Sequence, residues 1–200
     1  MIDGTGQQAT PAASLGQWLR QVLAPGAALV ADSRAVCPGD AFVAWQGANH
    51  DGRDYIRQAI ARGAAAVLYE TDADVSTGAV ASRSVSGLKS LAGPIAAEYY
   101  GRPSERLEVV AVTGTNGKTS CTQWIARGLA QLGRRVAVIG TLGSGIVPAG
   151  DATLALDEFG LTTPDAVALQ RMLAEFAQAG VEVVAMEASS IGLDQGRLEG

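Results

Sequence analysis

Residues 108–120, EVVAVTGTNGKTS, decide the fold of the second half of this 200-residue chain. The first five are mostly valine and predict a strand, which we expect to be buried on both faces over residues 109–112. Gly114 and Gly117 then let the backbone curl with its N–H groups pointing inward, and a helical pattern follows directly. This order of strand, glycine turn and helix predicts a phosphate-binding loop.

The polar residues of the loop have expected roles in such a site. Lys118 supplies a positive charge for β- and γ-phosphates, and the Thr119 hydroxyl is placed to bind Mg²⁺. The strict P-loop pattern fails, because it requires a glycine where this chain has Val112. The alternative interpretation is a glycine turn with a solvated lysine. The predicted nucleotide-binding residues are Gly114, Thr115, Asn116, Gly117, Lys118, Thr119 and Ser120.

Composition indicates an ordinary globular protein, with 48% hydrophobic and 18% charged residues. The formal charge of −5 argues against a broad nucleic-acid interface, which needs a basic face. Two cysteines far apart and one histidine favour neither a disulfide framework nor a zinc site. Since no signal peptide and no long apolar run is apparent, we expect a cytoplasmic protein without membrane insertion.

Strand and helix patterns predict an α/β fold with two domains. We expect residues 1–13 to form a loose tail, and a helix to begin at Ser14 as N-cap. A small α/β domain follows over residues 14–103, although residues 71–86 show no clear pattern. Longer strand–helix alternation over residues 104–200 predicts a parallel, doubly wound sheet, whose strand ends gather at one edge. That sheet is incomplete, so we expect a fragment of a longer protein. We expect the protein to be a monomer.

Two motifs of the second domain follow the phosphate loop. Thr163 reads as an N-cap with Pro164 at the first helical position, and a helix start with two hydroxyls, Thr162 and Thr163, is also an anion site. Glu187 ends a strand that is too apolar to lie at the surface. A carboxylate there can bind Mg²⁺, and a nearby arginine such as Arg197 can clamp a carboxylate. The simpler alternatives are that the Thr163 segment only caps a helix, and that Glu187 only caps the strand end while Arg197 is solvated.

The motifs together resemble the Mur ligase family, the ATP-dependent enzymes that add amino acids to the peptidoglycan precursor. The phosphate loop matches the family's TGTNGK[ST] form. Residues 32–52 match its N-terminal UDP-binding pattern DSRxVxPGxxFVAxxGxxxDG, which would otherwise read as turn chemistry. Residues 187–197 match E[VA]SSxGLxxxR. The order of motifs is that of the branch that extends UDP-MurNAc-L-Ala-D-Glu to the tripeptide.

The resemblance implies substrates, cofactors and site residues. ATP and Mg²⁺ are implied at the loop, with Lys118, Thr119 and Glu187 as catalytic residues and the metal on Thr119 and Glu187. The implied substrates are UDP-MurNAc-L-Ala-D-Glu and a diamino acid, with meso-diaminopimelate favoured over L-lysine. The family's carbamylated lysine and C-terminal ligase domain lie outside these 200 residues, so we expect little activity from them alone. The implied substrate-binding residues are Ala31, Ser33, Ala48, Asn49, His50, Thr162, Thr163, Ser189, Gln195 and Arg197.

Three alternatives remain open at this point. The Mur branch that adds D-Ala-D-Ala shares the DSR and FVA pattern but normally lacks the TTP and ASSxGL segments. Folylpolyglutamate synthases share the loop but not the N-terminal domain. A P-loop NTPase or nucleotide-binding module without ligase activity would bind ATP and ignore the muramoyl compound.

Overall fold

A computed structural model describes residues 10–47, 50–71, 75–148, 154–157 and 160–200 of the chain. They form two compact units, the first ending at Tyr100 and the second spanning Gly101–Glu199. Within the described ranges, no helix combines the length and apolar character needed to cross a membrane.

The first unit is built on a parallel sheet in the order β1-β2-β3-β4. Apolar side chains of its strands and of α2, such as Phe42, Val67 and Ile56, form the core. Helices α1 and α3 pack closely, because Gly16 has no Cβ where Glu98 passes. The elements are α1 (Pro11–Val22), β1 (Leu29–Val30), β2 (Ala41–Ala44), α2 (Ile56–Ala61), β3 (Ala66–Glu70), β4 (Ala81–Val85) and α3 (Leu88–Tyr100).

Two expectations for the first unit are corrected. The first helix begins at Pro11, because Thr10 accepts a hydrogen bond from the Ala13 N–H and Pro11 needs no N–H partner in the first turn. Ser14 is therefore not its N-cap. Strand β4 lies within residues 71–86, for which the sequence showed no clear pattern. The reason is that this edge strand has the polar sequence ASRSV, which lacks hydrophobic alternation.

The second unit has a sheet in the order β5-β8-β6-β7, in which β7 is antiparallel to β6. Alternate residues of β6 face opposite helices. Val136 and Val138 pack with α4, whereas Ala137 and Ile139 pack with α5. The doubly wound α/β arrangement is therefore confirmed. The elements are β5 (Glu108–Val112), α4 (Lys118–Gln131), β6 (Val136–Gly140), β7 (Gly143–Ile146), α5 (Ala166–Gln178), β8 (Val183–Glu187) and α6 (Ser190–Asp194).

Two expectations for the second unit are also wrong. Strand β5 is not buried on both faces, and Val109 and Val110 are 39% and 36% exposed. Among the described residues β5 pairs with β8 alone and so forms an edge of the sheet. Helix α5 begins after Asp165, whose Oδ1 accepts hydrogen bonds from the Val167 and Ala168 N–H groups, so Thr163 is not its N-cap.

Candidate functional site

The predicted phosphate loop lies between β5 and α4. Helix α4 begins at Lys118, directly after Gly117, which has a φ of +79°. Gly114 has a φ of +141°. Both values lie in the left-handed region, where a side chain would strain the backbone, so the two glycines are required for this turn. The free N–H groups at the start of α4 lie at the same place.

Lys118 folds back over this loop. Its Nζ donates to the carbonyl oxygen of Gly114 at 2.7 Å and lies 3.4 Å from that of Thr115. The amine is therefore held at the helix N-terminus by neutral oxygens. An anion that entered the loop would meet this positive charge together with the N–H groups of the helix start.

Glu187 lies beside the loop because β5 and β8 are neighbours in the sheet. Val112, the last residue of β5, is the register partner of Glu187. The glutamate is only 2% exposed. Its Oε1 accepts from the Thr141 N–H at 2.9 Å, and its Oε2 lies 3.2 Å from the Thr141 hydroxyl. A buried carboxylate thus lies at the edge of the sheet where the phosphate loop begins.

Thr163 joins the segment before α5 to the end of β8. It is fully buried, and its hydroxyl donates to the Glu187 carbonyl oxygen at 3.1 Å. The same Oγ1 accepts the Ser189 N–H at 3.1 Å. Ser189 in turn caps α6 by accepting from the Gly192 N–H. Three predicted site residues are therefore brought into one hydrogen-bonded cluster.

Arg197 and Gln195 complete this cluster. Arg197 donates from one terminal nitrogen to the Thr163 carbonyl oxygen at 2.7 Å. Its Nε and other terminal nitrogen donate to Gln195 Oε1 at 2.9 and 2.6 Å. All of these acceptors are neutral, so within the described part of the chain the guanidinium is oriented without being neutralised. Such a group is suited to bind a carboxylate or phosphate.

The first unit contains a separate cavity of about 450 Å³. Ser33 lies in its wall and is 5% exposed, with its hydroxyl donating to Gln58 Oε1 at 2.8 Å. The predicted residues Ala31 and His50 also line the cavity. The predictions for Ala48 and Asn49 lie outside the described residues.

One ion pair, Asp32–Arg34, lines this cavity, and a second, Asp51–Arg53, lies next to the lining residues His50 and Gly52 in sequence. The Arg34 guanidinium, through its hydrogen bonds to Asp32, holds the pKa of that carboxyl below its usual value. Arg53 lowers the pKa of Asp51 in the same way, with the two side chains 2.6 Å apart. Each aspartate thereby fixes its own turn, since the carboxylates also accept the Arg34 and Arg53 backbone N–H groups.

Sequence reasoning missed several residues of these sites. Thr141 directly follows β6, and its position after a parallel strand places it at the edge where ligands bind, but the sequence assigned it no role. Trp45, Tyr55 and Gln58 line the cavity of the first unit. In the sequence, these residues were marked only by their proximity to the DSR and FVA segments. The aromatic residues among them, Trp45 and Tyr55, could equally well have been core residues.

Comparison with protein families identifies both units. The model described as "Mur ligase family, catalytic domain" matches residues 27–93. The model described as "Mur ligase middle domain" matches residues 112–200, which contain the phosphate loop, Glu187 and Arg197. The two matches together span most of the chain.

Curated relatives share about half of their aligned residues with this chain. A UDP-N-acetylmuramoyl-L-alanyl-D-glutamate--2,6-diaminopimelate ligase of Janthinobacterium sp. (strain Marseille) is 50% identical over 196 residues, which is 96% of this chain and 38% of the relative. A protein with the same name from Ralstonia nicotianae is 48% identical over 206 residues, covering 98% of this chain and 39% of that protein. The chain therefore spans less than half the length of these relatives.

Solved structures agree with this assignment. A UDP-N-acetylmuramoyl-L-alanyl-D-glutamate--2,6-diaminopimelate ligase superposes with a TM-score of 0.66 at 29% identity, over 92% of this chain and 37% of that chain. A MurF ligase of Thermotoga maritima in complex with ADP superposes with a TM-score of 0.55 at 25% identity, over 82% of this chain and 32% of that chain. The chain belongs to the Mur ligase family and contains its N-terminal and middle domains.

Proposed function

We propose that this chain is part of an ATP-dependent ligase that adds meso-diaminopimelate to UDP-MurNAc-L-Ala-D-Glu. The observation on which this rests is the pairing of Val112 with Glu187, which brings the phosphate loop and a buried carboxylate to one edge of the sheet. The relatives named for this reaction support the choice of substrate and of the diamino acid. Because ATP and UDP-linked precursors are cytoplasmic metabolites, a cytoplasmic location follows from the proposal.

In the proposed reaction, the side-chain carboxylate of the substrate's D-Glu accepts the γ-phosphoryl group of ATP and becomes an acyl phosphate, while ADP leaves. The amino group of the incoming amino acid then attacks the acyl carbon, and phosphate leaves as the amide forms. Phosphoryl transfer of this kind depends mainly on positioning and on neutralisation of charge. Lys118 and the N–H groups at the start of α4 would supply both for the triphosphate.

The donor groups present fit a magnesium ion. Mg²⁺ prefers hard oxygen ligands and is usually held by one or two carboxylates together with phosphate oxygens and water. We propose Thr119 and Glu187 as its ligands, since a carboxylate that accepts two hydrogen bonds retains free lone pairs. When bound, the ion would stabilise negative charge on the transferring phosphoryl group.

The Arg197 cluster is proposed to bind the peptide end of the muramoyl substrate. Gln195 and Thr163 orient the guanidinium, and Ser189 and Thr162 present hydroxyls in the same segments. The cavity at Ser33 and His50 is proposed to bind the UDP part, with Ala31, Ala48 and Asn49 contributing as well. Aromatic side chains in its wall suit a planar base.

Calorimetry with three ligands tests this proposal. We expect the chain to bind UDP-MurNAc-L-Ala-D-Glu more tightly than UMP, and to bind ATP in the presence of Mg²⁺. A generic NTPase would bind ATP and ignore the muramoyl compound, which would refute the ligase assignment. In a full-length enzyme with this sequence, incorporation of D-Ala-D-Ala instead of meso-diaminopimelate would favour the other Mur branch.

A further inference from the structure

Thr141 holds both oxygens of the buried Glu187 carboxylate. Its backbone N–H donates to Oε1 at 2.9 Å, and its hydroxyl lies 3.2 Å from Oε2. Two hydrogen bonds from one residue prevent rotation of the carboxylate about its last bond. The direction of the remaining lone pairs is therefore determined by Thr141.

The residue before it makes this contact possible. Ile139 and Met186 are register partners, so the ends of β6 and β8 lie side by side. A Cβ on Gly140 would lie 2.9 Å from the carboxyl carbon of Glu187 and would overlap Oε1. A glycine at position 140 is thus needed for the carboxylate to reach the backbone N–H of Thr141.

The Thr141 hydroxyl also contacts Thr162, with the two Oγ1 atoms 3.1 Å apart. A hydroxyl has one proton, and a charged carboxylate is a better acceptor than another hydroxyl. The Thr141 hydroxyl has donor geometry toward both neighbours, so its single proton goes preferentially to Glu187. The three side chains therefore form one cluster, in which Thr141 contacts both Thr162 and Glu187.

We propose that Thr141 is a positioning residue that orients Glu187 for the metal ion and links it to the segment that contains Thr162. This inference rests on the proposed function, because it assigns the metal to Glu187. Residues that hold a ligating carboxylate typically change metal affinity about 10- to 100-fold when they are removed. Thr141 itself touches neither the metal nor the phosphates in this proposal.

Replacement of Thr141 by valine tests the proposal, because valine keeps the shape and the backbone N–H but lacks the hydroxyl. Binding of the non-hydrolysable analogue AMP-PNP is measured by calorimetry with and without Mg²⁺. We expect Mg²⁺ to tighten binding to the unmodified chain, and Thr141→Val to reduce that enhancement about tenfold. Binding without Mg²⁺ should stay unchanged. The matched control, Thr141→Ser, retains the hydroxyl and should preserve most of the enhancement.

A second variant tests the link to Thr162. Thr162→Val should lower the enhancement less than Thr141→Val does, and the double variant should lose no more than Thr141→Val alone. Circular dichroism of each variant confirms that the fold is retained.

The possible failures are distinguishable. An unchanged Mg²⁺ enhancement in folded Thr141→Val would overturn this inference alone. Additive losses in the double variant would overturn the link between Thr141 and Thr162. If the unmodified chain bound AMP-PNP without any response to Mg²⁺, then the metal role of Glu187 and the role of Thr141 would both be refuted. Failure to bind AMP-PNP at all would refute the proposed function and this inference together.

Discussion

Lys118 illustrates what a single residue contributes to the loop. Its amine lies on the carbonyl oxygens of Gly114 and Thr115, so it is held in place before any ligand arrives. This geometry avoids part of the cost of ordering a long side chain during binding. In the proposed function, the charge is then available where negative charge would develop on the transferring phosphoryl group.

We predict that Lys118→Ala lowers the turnover of a full-length enzyme with this sequence by about 10²-fold or more, as for other preorganised charge stabilisers. A coupled assay of ADP release measures the effect. The matched control is Lys89→Ala, which removes the chain's other lysine from an exposed position on α3. Near-normal turnover in Lys118→Ala would contradict the assignment of the loop.

Gly140 is a second position at which one residue has a specific requirement. We predict that Gly140→Ala destabilises the second unit by about 1–3 kcal/mol, because the added methyl group overlaps the Glu187 carboxylate in a packed interior. Urea denaturation measures the loss. Gly128→Ala in α4 is the control, since a Cβ there meets nothing within 4 Å. Equal stability of the two variants would show that the approach of Glu187 to the end of β6 is not close.

At the scale of elements, the start of α5 shows how a tertiary contact determines which residue is the N-cap of a helix. Asp165 caps the helix, and this leaves Thr163 free to bond with Glu187 and Ser189 instead. The sequence TTPD offers three possible caps, and local propensity does not rank them. The tertiary contact between Thr163 and the end of β8 decides between them.

We predict that Asp165→Ala destabilises the second unit by about 1 kcal/mol, the usual cost of losing an N-cap. Thermal unfolding followed by circular dichroism measures the change. Asp165→Asn retains a capping oxygen and should be nearly neutral. If Thr163→Ala destabilised the second unit by unfolding α5, and Asp165→Ala had no effect, then Thr163 would be the N-cap of this helix.

Strand β5 shows a different limit of element-level reasoning. Its valines predict burial, yet Val109 and Val110 are more than one third exposed. Hydrophobic residues suited to the interior of a parallel sheet also occur where the described residues leave an edge. The composition of a strand indicates that its side chains can be buried. It does not indicate which other strands lie beside it.

At the scale of the whole molecule, two charge pairs of the first unit make its stability depend on pH. Asp32 and Asp51, both in the first unit, have pKa values below the usual range because Arg34 and Arg53 donate to them. The unfolded chain therefore binds protons at higher pH than the folded unit does. The stabilisation is complete above the unfolded pKa, near 4, and is lost as the pH falls through the folded values.

We predict that the free energy of unfolding of the first unit decreases as the pH falls below about 4, and that Asp51→Asn makes this decrease shallower. Urea denaturation at a series of pH values measures it. Tryptophan fluorescence in a Trp124→Phe background reports the first unit, because Trp124 is the tryptophan of the second unit and is 72% exposed. Arg53→Gln should also make the decrease shallower. An unchanged slope in both variants would contradict the Asp51–Arg53 pairing.

Several features of this protein follow from its sequence alone. The two glycines and Lys118 predict the phosphate loop, because few backbone paths join a strand to a helix in so few residues. The alternation of strands and helices predicts the doubly wound sheet. The motifs at residues 32–52 and 187–197 predict the Mur ligase family. Each of these depends on local chemistry or on short spacing, which a sequence records directly.

Other features depend on which segments meet in the folded chain. The link between Thr141, Thr162 and Glu187, the orientation of Arg197 by Thr163, and the contact of Gln58 with Ser33 join residues far apart in sequence. The edge position of β5 is likewise a property of strand order. A serine, threonine or glutamine has several possible hydrogen-bond partners, and only the geometry of neighbouring strands selects one of them.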